Sequence, residues 1–373
     1  MGLLDNRSSI GLTSISLKVA LLDSAGKTVA EQLTPLALPH LAPDESGPFA
    51  AEFPPLPSAA SAKASLAEYE TGQFSRGHVS IDHLDAAPSA DGGLTILGRV
   101  NNLGEQPVAV PAVAVVARDG RGQILGVAPR VAGLSFLRPG ESATFLASMP
   151  VDPGTAEFTA YVDALATVAP AGFAAPALVG QPRLLWTSQG LPIVVGAVRN
   201  QSSQVRRASI VVSLTWKGDV IGLANVTPPL PLEPDETRPF AQGSFYGLTE
   251  RLRQRGASAR DLEVSAQVDP LLSSASSRAP IPLKVEVQGF EAIGGSVILK
   301  GSATNTTATS VTSASAFAAL RSTKGVVITA GWAVVAETLP PGGHAAFTLD
   351  LPLPEGSDLA MAEADVQAAG IQP

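Results

Sequence analysis

The 373-residue chain has no cysteine, only four histidines and few charges, with Asp, Glu, Lys and Arg together making up 16 % of it. The missing cysteine removes disulfides, Cys-bound zinc and thiol nucleophiles together. His40, His78, His83 and His344 are the whole supply of imidazole. Average soluble chains carry roughly a quarter charged residues, so a surface this sparse has little to keep copies apart, and self-association is expected. A net charge of −8 and a pI near 5.1 argue against nucleic acid, which needs clustered Lys and Arg. Mean hydropathy is +0.23. No run, however, approaches the roughly 18 to 20 uninterrupted apolar residues that spanning a bilayer requires, so no membrane insertion is expected. The longest candidates, "VAVPAVAVVA" and "APAGFAAPALVG", are broken by Pro or Gly. The start, "MGLLDNRSS", has neither the basic end nor the apolar core of a signal peptide; an exported protein would carry that signal upstream.

What the chain does have is repetition. "GLLDN" at 2–6, "GRVNN" at 98–102, "GAVRN" at 196–200 and "GSATN" at 301–305 share Gly, an apolar or small residue two places on, and a final Asn. A turn glycine follows each Asn after 20, 20, 18 and 20 residues, at Gly26, Gly122, Gly218 and Gly325. A Pro follows each Asn after 37, 37, 34 and 36 residues, at Pro43, Pro139, Pro234 and Pro341. A Phe closes each copy: Phe49, Phe145, Phe240 and Phe347. Three landmarks in register, four times over, define tandem modules with boundaries at 1–73, 74–172, 173–279 and 280–373. A mid-strand Gly costs roughly 0.5–1 kcal/mol relative to Ala. Its recurrence therefore predicts a purpose: room for a large residue from the facing sheet, or a bulge.

Within each module the pattern has period two, the mark of half-buried strands. Leu94, Ile96, Gly98 and Val100 share one face; Val297, Leu299, Gly301 and Ala303 do the same in the fourth copy. Ile15, Leu17, Val19 and Leu21, and likewise Ile210, Val212, Leu214 and Trp216, form the inward face of a second strand. Short strands punctuated by Gly, Pro and Asp turns indicate an all-β chain of sandwiches. The expected architecture is four tandem immunoglobulin-like β-sandwich domains in an elongated array. Pro- and Ala-rich joints such as "VAPAGFAAPALVGQP", 168–182, are expected to set the angles between modules.

The order G-x-V-x-N, apolar strand, D-x-x-G turn, strand, L-x-P-G/D-E-S/T and strand ending in Phe resembles the FxLYD-type bacterial immunoglobulin-like domain. It resembles more loosely the adhesion-type immunoglobulin-like domains of surface proteins. The resemblance covers nearly the whole chain and implies spacer or binding modules at an extracellular or cell-surface location. The first copy departs most. Copies two to four have a strand upstream of the Gly motif, "HVSIDHLD", "RLLWTSQ" and "LKVEVQGF", whereas Met1 directly precedes Gly2. The first domain is thus expected to lack its N-terminal strand and to expose an edge at Gly2, Leu3, Leu4, Asp5 and Asn6. Two explanations fit: a processed or fragmentary start, or completion by a neighbouring subunit in head-to-tail assembly.

Chemistry-bearing clusters are few. "HVSIDHLD" places His78, Ser80 and Asp82 on one strand face and His83 on the other, which splits rather than gathers them. The acidic turns "PDE" at 43–45 and 234–236 read as β-turns before they read as calcium ligands. Asn6, Asn200, Asn225 and Asn305 begin N-x-S/T sequons, three of them the repeat Asn itself. "TERLRQRGASAR", 249–260, reads as a solvated connector helix capped by Thr249, ahead of an anion-binding patch. Trp186, Trp216 and Trp332 do not recur at equivalent positions and are expected to fill cores. No catalytic, cofactor or metal site is expected. The functional expectation is a non-enzymatic structural subunit of a fibre, filament or stalk. A ligand- or cell-surface glycan-binding region of a larger adhesin or enzyme is the alternative.

Overall fold

The computed structural model describes residues 1–89, 92–130, 133–150, 152–168, 176–270, 272–273, 275–276 and 278–372. Of the expected joint at 168–182, residues 169–175 lie outside them. The chain is nearly all β, arranged in several sandwich-like sheets. It divides into two compact units, Met1–Pro170 and Ala171–Pro373, each holding two of the four sequence repeats.

In the first unit, the first repeat pairs Gly2–Asp5 with Ser46–Phe49, opposite a four-stranded sheet in which Gly11–Leu22 is central. Leu12, Ile15, Leu17, Val19, Leu36, Leu41 and Phe49 make its core. In the second repeat Gly93–Asn102 lies between Val79–Pro88 and Ser142–Pro150. The other sheet is built on Val108–Asp119, whose partners are Ile124–Arg130, Phe136–Leu137 and Thr155–Ala166.

In the second unit, Pro192–Arg199 is flanked by Ala177–Leu178, Arg183–Trp186 and Thr237–Gln242. Ile210–Trp216 pairs with Asp219–Val226 and Glu263–Val268. The fourth repeat joins its two sheets through one long strand, Pro280–Ile293, which pairs first with Glu363–Ile371 and then with Ser296–Thr304. Switching sheets in this way lets a single strand close one side of a sandwich.

The recurring landmarks have a common structural cause. Each motif Gly is the direct cross-strand partner of the closing Phe of its own repeat: Gly2 and Phe49, Gly98 and Phe145, Gly196 and Phe240, Gly301 and Phe347. A Cβ at Gly196 or Gly301 would lie 2.6 Å from the Phe Cζ. The space is therefore used by a ring from the adjacent strand of the same sheet. The expectation of a filling residue holds; its origin in the facing sheet does not. In a pleated sheet, direct partners share a face, so a ring can fold over a neighbour that has no side chain.

Each motif Asn ends its strand in a buried hub. Asn200 Nδ2 donates to Gln204 O at 2.7 Å, Leu232 O at 3.1 Å and Glu233 O at 3.0 Å, while its Oδ1 accepts from Ser202 N and Oγ. Asn305 repeats this with Thr309, Leu339, Pro340 and Thr307, and Asn6 with Ile10, Leu41, Ala42 and Ser8. Asn102 does so with Gln106, Leu137 and Gly104. One amide thus ties its own turn to the Leu-x-Pro turn roughly 35 residues away, satisfying carbonyls that no strand can reach.

Candidate functional site

The expected assembly edge lies in an open position. Gly2–Asp5 is hydrogen-bonded to Ser46–Phe49 and, among the described residues, to no strand on its other side. Leu4 packs on the core of its repeat. Asn6 is not free for a partner, because it is buried and its side chain is held by its own repeat.

A polar side-chain cluster that no sequence motif marked lies where the first and second repeats meet. Asp163 is fully buried; its Oδ2 accepts from His40 Nδ1 at 2.7 Å and from His40 N at 3.2 Å, and its Oδ1 from Arg76. Arg76 also grips Glu45 through Nε, at 2.8 and 3.0 Å to the two oxygens, and donates to His40 O at 2.8 Å. Phe74 lies edge-on to His40 and beneath the Arg76 guanidinium. Beside this cluster Leu38 seats on Ala112, Ala114 and Tyr161. A guanidinium fork matches carboxylates bidentately, so the cluster holds the two repeats at one geometry.

A related joint connects the third and fourth repeats. Glu236 stands two residues after its Pro, as Glu45 does, and accepts from Arg238 Nε at 3.0 Å. Arg238 also donates to Leu230 O at 2.6 Å and lies over the Phe317 ring. A cleft of about 520 Å³ opens here, walled by Leu230, Pro282, Leu283 and Phe317, with Glu233 and Gln367 at its polar side. Two of the three Trp residues also serve this joint. Trp332 packs on the core of the third repeat, and Trp186 Nε1 donates to Ala259 O at 3.0 Å while its carbonyl accepts from Glu355 N. Trp216 and Trp332, both half-buried against hydrophobic cores, fit the expected core role, and Trp332 does so across the joint.

The remaining candidates are absorbed by the scaffold. Glu45 and Glu236 each accept from the backbone N–H three residues back, Ala42 N at 2.7 Å and Glu233 N at 2.8 Å, while Asp44 and Asp235 take the left-handed turn position. Among the described residues no three His, Asp or Glu gather as a metal-ligand set. His83 sits at a bulge, φ 54°, which brings its Nε2 to 3.6 Å from Asp82. The simple face assignment of the sequence reading therefore fails there. Burial by itself pushes the Asp82 carboxyl up. Hydrogen bonds from Arg99 and Asn101 and the charges of Arg99 and His83 outweigh burial and hold the carboxyl below its ordinary 3.8.

The arginine run forms the helix Leu248–Arg255, but its cap is Gly247 and Thr249 lies inside it. Nor is the helix simply solvated: Arg251 is fully buried and Arg255 pairs with Asp219 at 2.6 Å. Leu248 turns into the core and Arg251 is buried with it, while Arg253 and Arg260 stay exposed, so one face of the helix packs onto the third repeat and the other is solvated. No helix among the described residues is long and apolar enough to cross a membrane.

No family model matches the chain, and no curated protein does. Among solved structures, red sea bream transglutaminase is similar over 52 % of this chain and 32 % of that one, at 12 % identity and a TM-score of 0.17. The native conformation of E. coli alpha-2-macroglobulin is similar over 98 % of this chain and 27 % of that one, at 11 % identity and a TM-score of 0.16. The chain thus spans less than a third of the length of either protein, and at these TM-scores neither likeness bears on fold or function.

Proposed function

We propose that the chain is a structural subunit of an extracellular or cell-surface fibre, filament or stalk. It would be built from four tandem immunoglobulin-like sandwiches and assemble through β-sandwich contacts. The observation that supports this best is the use made of its distinctive residues. Gly, Phe, Asn and the Glu turns serve strand packing, and the most polar clusters hold repeat against repeat. Packed ionic and aromatic joints suit a scaffold that must keep spacing, where a flexible linker would let modules reorient. On this reading the chain is not an enzyme and self-associates. Negative-stain microscopy of the purified chain at high concentration tests it: ordered filaments are expected, and monodisperse monomers overturn the filament reading.

The cleft between Leu230, Leu283 and Phe317 favours a second reading, a ligand- or glycan-binding region of a larger surface adhesin or enzyme. Apolar walls with a few polar groups are the common form of small-ligand sites. A glycan-array hit that is lost in Phe317→Ala would select this reading over the first.

A further inference from the structure

The cleft between the third and fourth repeats is rich in hydrogen-bond acceptors and poor in free donors. Arg238, the one cation on its wall, is spent within the protein. Its Nε and Nη2 donate to Glu236 Oε1 at 3.0 and 2.6 Å, its Nη1 to Leu230 O at 2.6 Å and its Nη2 also to Pro231 O at 3.3 Å. Glu236 is engaged on both oxygens, the second accepting from Glu233 N at 2.8 Å. Glu233 differs: it lines the same cleft, is exposed, and its carboxylate has no hydrogen-bond or ion-pair partner among the described residues.

The strand on the other wall adds acceptors. Pro280 pairs with Ile371 and Pro282 with Ala369. Having no N–H, the two prolines must sit where that group would point away from the paired strand. Their carbonyl oxygens point the same way, so this edge of the cleft carries acceptors with no donor between them, and a strand cannot be added along it. The one other side-chain donor on the lining is the Gln367 amide, whose Nε2 lies 3.5 Å from Asp365 Oδ1.

We propose that the cleft binds a small organic cation, an alkyl- or arylammonium whose apolar body lies against Leu230, Leu283 and Val285 and whose N–H groups reach Glu233. The volume of about 520 Å³ suits a molecule of that size. An anion would meet two carboxylates with the guanidinium already bonded. A sugar ring would find no open aromatic face, because Phe317 is buried beneath Arg238. A cation with several N–H donors answers both the unpaired carboxylate and the proline carbonyls.

The inference rests on the second reading, in which this cleft is a ligand site, and narrows its ligand. Phenethylammonium, phenethyl alcohol and phenylacetate share one apolar body and differ in charge. Each is titrated into the full chain carrying labelled Leu and Val methyl groups and followed by NMR. The cation is expected to bind saturably, to shift the methyl resonances of Leu230, Leu283 and Val285, and to bind about fivefold or more tighter than the alcohol. Phenylacetate is expected to bind weakest, and added salt to shrink the preference for the cation. Glu233→Gln should remove that preference and leave binding of the alcohol as it was. Glu105→Gln, which takes the same charge from an exposed position in the second repeat, should change neither. Equal binding of the three probes overturns the inference while leaving the cleft a ligand site. A preference that survives Glu233→Gln, or saturable shifts confined to other methyl groups, overturns it as well. So does the absence of saturable binding by any probe, and the glycan array then decides the second reading by itself.

Discussion

The ring of Phe240 occupies the space that a side chain at Gly196 would take, the two residues facing each other across neighbouring strands of one sheet. Neither residue fits the structure without the other. Gly196 alone would leave a void in a core that is otherwise closed, and Phe240 opposite any larger residue would lose its position over the strand. The same pairing recurs in all four repeats, so duplication has copied a coupled pair.

That coupling is measurable by a double-mutant cycle. Gly196→Ala forces the ring aside and costs about 1–3 kcal/mol. Phe240→Ala empties a buried site and costs about 3–5 kcal/mol. With the ring gone, the added methyl at 196 no longer clashes, so urea unfolding of the double variant shows a loss smaller than the sum. Additive losses would falsify the pairing as the reason for the glycine.

The Asn hub gives a second test. Asn200→Ala strips donors from three carbonyls in a site with no exposed surface and costs about 2–4 kcal/mol. Asn200→Asp keeps the shape but cannot donate, and it buries a charge among carbonyl oxygens; it is expected to be at least as damaging. Urea midpoints of the two variants check the order.

Gly, Asn, Pro and Phe spacing made the repeats and their strands readable because those residues answer local demands: a turn, a missing side chain, a closing ring. The joints were not readable. His40, Glu45, Arg76 and Asp163 are separated by up to 123 residues and follow no period, so only the fold brings them together. The helix at Leu248–Arg255 was legible as a helix, but not as one that buries Arg251, because charge runs are usually solvated. His83 was misplaced because a bulge resets strand alternation and has no dependable sequence mark.

The sequons separate by burial. Asn6, Asn200 and Asn305 are buried, and the Ser or Thr of each sequon bonds back to the Asn, whereas Asn225 is exposed near the end of Asp219–Val226. A glycan on a hub Asn is incompatible with the folded repeat. Folded material secreted from a glycosylating host is therefore expected to carry sugar at Asn225 alone among the four, as read by glycopeptide mass spectrometry. Occupied Asn200 in folded material would contradict the hub.

Asp82 supplies a pH dependence of known sign. Its folded carboxyl titrates below the ordinary 3.8, so its stabilising effect is complete above that value and fades as pH falls through the folded one. The side chain is 37 % exposed, and solvent screening keeps the effect under about 1 kcal/mol. Wild type and Asp82→Asn should differ slightly in urea midpoint at neutral pH and converge as pH falls through the folded carboxyl's lowered value. A gap that widens on acidification would assign the difference to something other than the Arg99 pair.

The first joint should fail when its arginine is removed. Arg76 balances Glu45 and the fully buried Asp163, and Arg76→Ala leaves both carboxylates facing each other's site with only His40 still bonded to Asp163. Breaking a buried pair from one side costs about 3–5 kcal/mol, because the remaining charge stays out of water. Arg76→Lys should recover little, since a single ammonium cannot span Glu45, Asp163 and the His40 carbonyl as the fork does. Pairing Arg76→Ala with Asp163→Asn removes the stranded charge and should cost less than the two single losses together. Calorimetric melting of the full chain measures these losses. Limited proteolysis should show increased cleavage between Gln73 and Gly77 in Arg76→Ala, because the variant leaves that segment held only by its backbone bonds to Ala164 and Ala166 and by Phe74. An Arg76→Ala chain that melts and cleaves like wild type would remove the joint as the element holding these repeats together.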